Sequence, residues 1–319
     1  ALQIPDITIA SLEEVLSIDG LNEREKWSML EILINAAQNQ QDWPRVARWS
    51  HAYIGDKGPK KVIHSLLIRA LSAQGEHQQL VDEMQKKFEQ DQSSQSMSNE
   101  SDLQGLALAY QNLKNAPGYA KTVKQLLSQY PSKAYWKEVI ANTASQPDFN
   151  DRLTLDLFRL LEDVDAMDDA DSLLEMASHA LKAGFALEAQ RVVNKGFATG
   201  ILGKGDAALA HQKMRSDIEK KVRLDDQLVL QLENNAQNAN QWLSLGQVHL
   251  SMQAWSAAMQ AFNKAEAIGG VRRENELWLH SAMALFKSGK IQHARLQLDK
   301  VRDDVTALDI AYLWRLRMQ

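Results

Sequence analysis

The chain has 319 residues, 45% of them apolar, which is enough to bury a large core and too apolar for a disordered chain. Its 36 basic and 41 acidic residues leave a net charge of −5, which argues against nucleic acid as the main partner because phosphate binding needs a basic field. The lack of cysteine removes disulfides, thiolate metal sites and cysteine nucleophiles together, and the 15 glycines and 6 prolines are few enough for a nearly all-helical chain.

Residues 1–6 read as an extended lead-in, and the start at Ala1 rather than methionine fits either a cleaved signal peptide or a trimmed end. Ser11 followed by Glu14 predicts a capping box for a short helix to about Ser17. Asn22 is expected to cap a helix to about Gln38, with Trp27, Leu30, Leu33, Ile34 and Ala37 inward. Pro44 sits at the first turn of the next helix, which carries Val46, Ala47, Trp49 and Tyr53. Two further helices follow, after Pro59 and around Leu80. Residues 89–101 are polar and rich in serine and glutamine, the pattern of a loop. A hairpin is expected over 103–129, then helices after Pro131 and after the cap Asn150. From Asp206 to about Asn238 the pattern predicts one or two longer helices with a break near Leu224. The chain ends on a helix with Leu308, Tyr312 and Leu316 on one stripe, expected to cover the end of the array. No apolar run approaches the roughly 20 residues of a membrane-spanning helix.

The clearest stretch is Asn240 to Gly270. Trp242, Leu245, Gly246, His249 and Leu250 share one helical face, and Ala258, Phe262 and Ala265 share another. A small residue on a buried stripe lets two helices approach, and Trp242 and Phe262 fill the space beside it. The scheme recurs with Trp278, Ala282, Leu285, Ala294 and Leu298, and earlier with Leu173, Met176, Ala177, Ala180, Ala189 and Val193. Weaker copies carry Leu103, Leu106, Ala107 and Tyr110, and Leu30, Leu33, Ile34 and Ala37.

In order and spacing this pattern resembles the tetratricopeptide repeat. The resemblance implies an all-α fold, an α-solenoid winding as a right-handed superhelix of helical hairpins. Four segments are expected: degenerate repeats over 1–100, central repeats over 101–203, a connector over 204–239, and a pair of repeats with a capping helix over 240–319. The runs YPSKAYW, FNDRLTLDLFRL and GILGKGDAALAHQKMR also resemble a group of exported proteobacterial tetratricopeptide proteins, some of which accompany TonB-type energy-coupling systems. That second resemblance implies a periplasmic location, with the cytoplasm as the alternative.

Chemistry is sparse. No two of the eight histidines stand three or four residues apart, as zinc ligands on one helix would. The glycines at 200, 203 and 205 lack the Ser/Thr of a phosphate loop, and Asp206 is expected to cap the following helix. The acidic run Glu162, Asp163, Asp165, Asp168, Asp169 and Asp171 lacks the central glycine of a calcium loop and reads as a solvated turn. No cofactor, metal or catalytic residue is therefore expected, and the chain reads as a non-catalytic scaffold. The resemblance places a concave groove on the first helix of each hairpin. It offers Asn240, Leu243, Gln247, Leu250, Leu279, His280, Met283 and Phe286, with Leu174 and Ser178 from the earlier repeat, to a protein or peptide partner. Leu243 and Leu279 stand where a carboxylate-clamping repeat would have lysines. A self-associating element of an envelope assembly is the alternative, ahead of a small-molecule binder or enzyme. Any membrane association would be peripheral.

Overall fold

The computed structural model describes residues 6–17, 21–60, 62–93 and 98–319. They form α-helices and one 3-10 turn, with no strand among the described residues. The chain divides into two compact units, Ala1–Tyr130 and Pro131–Gln319. The first contains α1 (Asp6–Leu16), α2 (Glu23–Asn39), α3 (Trp43–Gly55), α4 (Val62–Gln74), α5 (His77–Ser93), α6 (Glu100–Asn112) and α7 (Ala116–Gln129). The second contains α8 (Lys133–Ala144), a 3-10 turn (Asp151–Leu153), α9 (Thr154–Asp163), α10 (Ala170–Lys182) and α11 (Ala186–Ala198), then α12 (Ala208–Asn235), α13 (Ala239–Ser251), α14 (Trp255–Ile268), α15 (Glu274–Lys287), α16 (Ile291–Leu298) and α17 (Val305–Arg317). The division falls inside the segment expected to run over 101–203, at the point where Pro131 prevents α7 from continuing.

Six hairpins share one turn, and among the described residues the same turn also ends α3 at Lys57, α9 at Asp165 and α11 at Gly200. In each, a residue with positive φ follows the first helix: Gln41, Gly75, Lys114, Gly184, Gln253 and Gly289. The next N–H then donates to a carbonyl five residues back, as from Asn115 to Tyr110, Phe185 to Ala180, Ala254 to His249 and Lys290 to Leu285, at 2.8–2.9 Å. This closure satisfies a carbonyl that the helix end would leave unpaired and reverses the chain onto its own apolar face. Side-chain caps set the helix starts: Asn22 with Glu25, and Asn238 with Gln241, form reciprocal capping boxes.

The packing follows the small-residue scheme. Gly246 and Ala258 are both buried, and a Cβ on Gly246 would lie 2.3 Å from the Phe262 ring. In the first unit Gly118 of α7 approaches Tyr110 of α6 in the same way, and Gly58, in the turn after α3, meets the Tyr53 ring of that helix. Tyr53 is fully buried, and its hydroxyl donates to Glu31 Oε1 at 2.9 Å.

Local readings differ at five places. Ser11 lies inside α1 rather than capping it, because the helix begins at Asp6. The loop expected over 89–101 is shorter: α5 continues to Ser93 and Asn99 caps α6, while 94–97 lie outside the described residues. α12 runs unbroken through Leu224, since nothing there lacks a backbone N–H. Asp206 does not cap α12, which has no side-chain cap; Gly203 N–H instead donates to His211 Nδ1 at 3.1 Å. On α17 the stripe expected to cover the array faces out, with Leu308 and Tyr312 exposed; the buried face is Ala307, Ile310, Ala311, Leu313 and Trp314.

That buried face explains the shape of the second unit. α9 packs against α17, so the early helices of this unit return to its last ones. Asn150 N–H donates to Thr306 Oγ1 at 2.9 Å, and Gln146 Nε2 donates to Asp309 Oδ2 at 3.0 Å. The apolar face of a terminal helix is thereby covered from within, and the unit closes on itself.

Candidate functional site: a polar interior in the second unit

The site is built on α9. Its leucines at 157, 160 and 161 are buried, and so are charged groups on the same helix. Asp156, Arg159 and Asp163 stand three and four residues apart, so they share one stripe. Arg159 grips Glu188 of α11 through two bonds, Nε to Oε1 at 2.9 Å and Nη2 to Oε2 at 2.8 Å. Its Nη1 also donates to Asp156 Oδ1 at 3.0 Å. Such a fork-on-carboxylate pair is strong and directional. Burial opposes the charge on Arg159, but Glu188 and Asp156 outweigh it and hold the guanidinium more firmly protonated than usual.

Asp156 also joins α9 to α15. His280 Nε2–H donates to its Oδ1 at 2.9 Å, and Gln247 Nε2 of α13 lies 3.3 Å from His280 Nδ1. The same Gln247 amide donates to Glu276 Oε2 at 2.9 Å, which fixes its orientation. Burial pushes the Asp156 carboxyl up, but His280 and Arg159 outweigh it and hold it below the usual carboxylate range. Further along α9, Asp163 receives Arg317 Nε of α17 at 2.6 Å and pairs with Lys287 of α15, while Glu162 takes both arms of Arg191 from α11. The acidic run read as a solvated turn is thus divided. The Asp163 side chain is 3% exposed and wholly engaged, whereas Asp165 and Asp168 lie outside and pair with Lys133 and Lys137.

Two cavities flank this network. A cleft of about 1000 Å³ lies between α9, α10, α13 and α15, with Phe149, Phe185 and Val248 among its walls and Arg152, Lys182 and Arg273 among its charges. Four cations meet three carboxylates on its lining, against the acidic balance of the whole chain. Arg152 and Arg273 both hold Glu276, at 2.8 and 2.9 Å, and Lys182 is exposed. A smaller chamber of about 190 Å³ lies on the other side of Arg159.

The ten residues expected to line a groove are distributed as follows. Gln247 and His280 line the cleft, and Leu250 and Met283 line the chamber. Leu243 and Leu279 are fully buried between helices and present no surface. Asn240 is half-buried and accepts a hydrogen bond from Arg272 N–H at 3.0 Å. Phe286 packs edge-on against Trp314, centroids 5.9 Å apart, and Leu174 and Ser178 are half-buried on α10, outside both cavities. Sequence reasoning missed Asp156, Arg159 and Glu188. The signal was present: three charges at helical spacing interrupt a leucine-rich helix, as few solvated faces do. No group of three or more acidic or histidine side chains among the described residues could hold a metal ion, and no described helix is long and apolar enough to cross a membrane.

No known family profile matches the sequence, and no curated protein matches it. Among solved structures the chain is similar to the tandem repeat domain of yeast Sti1 in its complex with pHSP90, at 11% identity over 92% of this chain and 98% of that one, with a TM-score of 0.29. It is similar to a tetratricopeptide repeat protein of Parabacteroides merdae at 13% identity over 92% and 99%, with a TM-score of 0.31. It is similar to yeast Tom70 at 10% identity over 98% and 87%, with a TM-score of 0.25. On its own geometry, from the shared hairpin turn and the close packing of Gly246 on Phe262, the described residues form an all-α array of antiparallel helical hairpins.

Proposed function

We propose that the chain is a non-catalytic scaffold that takes a protein or peptide partner in the large cleft of its second unit. The observation that carries this reading is the cleft itself: about 1000 Å³, walled by helices, with aromatic and aliphatic surface beside exposed cations. An extended segment with apolar and acidic side chains fits such a lining. The one histidine–carboxylate pair at the cleft does not offer a general base, because both ring nitrogens of His280 are already engaged inside the protein. The proposal places the protein in the bacterial envelope, supported by the resemblance of residues 130–215 to exported repeat proteins. Crosslinking in cells, followed by identification of the captured partner, tests the reading. Lys182→Glu reverses the exposed charge at the cleft and Lys182→Ala removes it, and both are expected to weaken capture while leaving the thermal transition intact. Capture unchanged by both variants overturns the assignment of the cleft, and fractionation that finds the protein only in the cytoplasm overturns the location.

Self-association is favoured by a separate observation, the exposed stripe of Val305, Leu308 and Tyr312 on α17. Sedimentation that finds a monomer at high concentration removes it.

A further inference from the structure

Two cavities of the second unit meet on one cluster of charges. The large cleft and a neighbouring cavity of about 380 Å³ both carry Arg152, Arg273 and Glu276 on their linings. Arg152 belongs to the 3-10 turn, Arg273 stands at the start of α15, and Glu276 lies in the first turn of that helix. Glu276 Oε1 accepts from Arg152 Nη2 at 2.8 Å, and Oε2 accepts from Arg273 Nη1 at 2.9 Å. The amide of buried Gln247 also donates to Oε2, at 2.9 Å, so the carboxylate is anchored from inside the protein. One carboxylate thus holds two guanidiniums side by side. Two positive charges share one negative charge, and the cluster is one anion short of neutrality.

The other carboxylates on the two linings are engaged elsewhere. Glu274 and Asp303 face Arg302, at 3.5 and 4.0 Å. Asp304 caps α17 through the Ala307 N–H and accepts from Asn150 Nδ2 at 3.1 Å. Asp156 is held by His280 and Arg159. Asp151 acts on His179, whose charged form it favours. Arg272, exposed on the smaller cavity, adds a further cation. A guanidinium has five N–H donors, and Arg152 and Arg273 each give one to Glu276. Their side chains are 57% and 36% exposed, so both forks remain accessible from the cavities. A planar fork takes a carboxylate through paired hydrogen bonds, which a point charge does not. There is open space on either side of the cluster, so an extended chain can enter by one cavity and leave by the other. What meets the arginines is then a side chain and not a chain end. On the cleft side, Phe149, Phe185 and Val248 offer apolar surface to a neighbouring residue of the same segment.

We propose that Arg152 and Arg273 form a receptor for one acidic side chain of an extended partner segment, with an apolar residue of that segment seated in the cleft beside them. The proposal rests on the reading of the large cleft as the partner's seat and names what is recognised there. Calorimetry with purified protein and synthetic peptides tests it. The probes are acetylated, amidated octapeptides of serine carrying one phenylalanine, with a single glutamate two, three or four positions after it. Each has a twin with glutamine in place of glutamate, and one glutamine peptide is also made with a free C-terminal carboxylate. At least one glutamate peptide is expected to bind saturably and about tenfold tighter than its glutamine twin. Arg273→Ala and Arg152→Ala are each expected to erase that difference while leaving the weak binding of the glutamine peptide in place. A variant that only disturbed the fold would weaken both peptides alike; thermal melts check this, and Arg273→Ala stands in if Arg152→Ala unfolds. Equal affinity for the twins, no saturable binding of any probe, or a difference that survives both substitutions overturns the receptor. Tighter binding of the free C-terminus than of every internal glutamate overturns the choice of a side chain. The scaffold reading is judged separately, by capture in cells with the Lys182 variants, so either can fail without the other.

Discussion

Single residues carry two different kinds of constraint here, and substitution separates them. Gly246 is limited by space. Added methyl volume in a packed core costs about 1–3 kcal/mol, while glycine-to-alanine in a helix returns about 1 kcal/mol. The Phe262 ring that a Cβ would meet at 2.3 Å is itself 1% exposed and cannot swing away. Gly246→Ala is therefore expected to lose about 2 kcal/mol in chemical denaturation. Gly184 is limited by conformation: φ is +83°, and a Cβ there would meet nothing within 4 Å. Gly184→Ala is expected to cost about 1–2 kcal/mol through backbone strain alone. Glu188 makes a third case. Removing it leaves the Arg159 side chain, 9% exposed, with only Asp156 for compensation. Glu188→Ala is expected to destabilise by about 3 kcal/mol, and the double change Glu188→Leu with Arg159→Met to recover much of that, as a thermodynamic cycle would measure.

At the scale of elements, the hairpins were readable because their apolar residues recur at helical spacing and a tight hairpin buries mostly its own sequence neighbours. Leu30, Leu33, Ile34 and Ala37 on α2, and Leu173, Met176, Ala177 and Ala180 on α10, are buried as their spacing predicts. The polar site was hardly readable, for a physical reason. Asp156 meets His280 across 124 positions and Asp163 meets Arg317 across 154, and no local pattern encodes such pairing. The groove residues suffered from the same gap. Leu243 and Leu279 lie on the face a groove would use in an open row, but closure of the second unit turns that face inward. α17 shows how close the alternatives are: apolar residues lie on both sides of the helix, and only the early helices of its unit decide which side is covered. His249 gives α13 a pH signature. Burial holds its pKa below the usual histidine value, despite Glu233 nearby. A folded pKa below the unfolded one means that its contribution is complete above about pH 6.5 and is lost as pH falls through the folded value. The thermal midpoint is expected to fall on acidification from pH 7, and less steeply in His249→Gln.

At the scale of the molecule, the buried network ties acid sensitivity to closure of the second unit. The folded pKa of Asp156 is also depressed, so its contribution is complete above the unfolded carboxylate value, about 3.9, and is lost as pH falls through the folded value. A second, steeper loss is therefore expected below about pH 4, and Asp156→Asn is expected to flatten it in an acid titration followed by circular dichroism. The closure has one more result. Residues 146–163 are fastened to 276–317 by hydrogen bonds and ion pairs that bypass the intervening peptide. A protease nick at the exposed turn near Gln237 would sever the backbone without parting the pieces. The two fragments should migrate together through a sizing column and come apart only in denaturant.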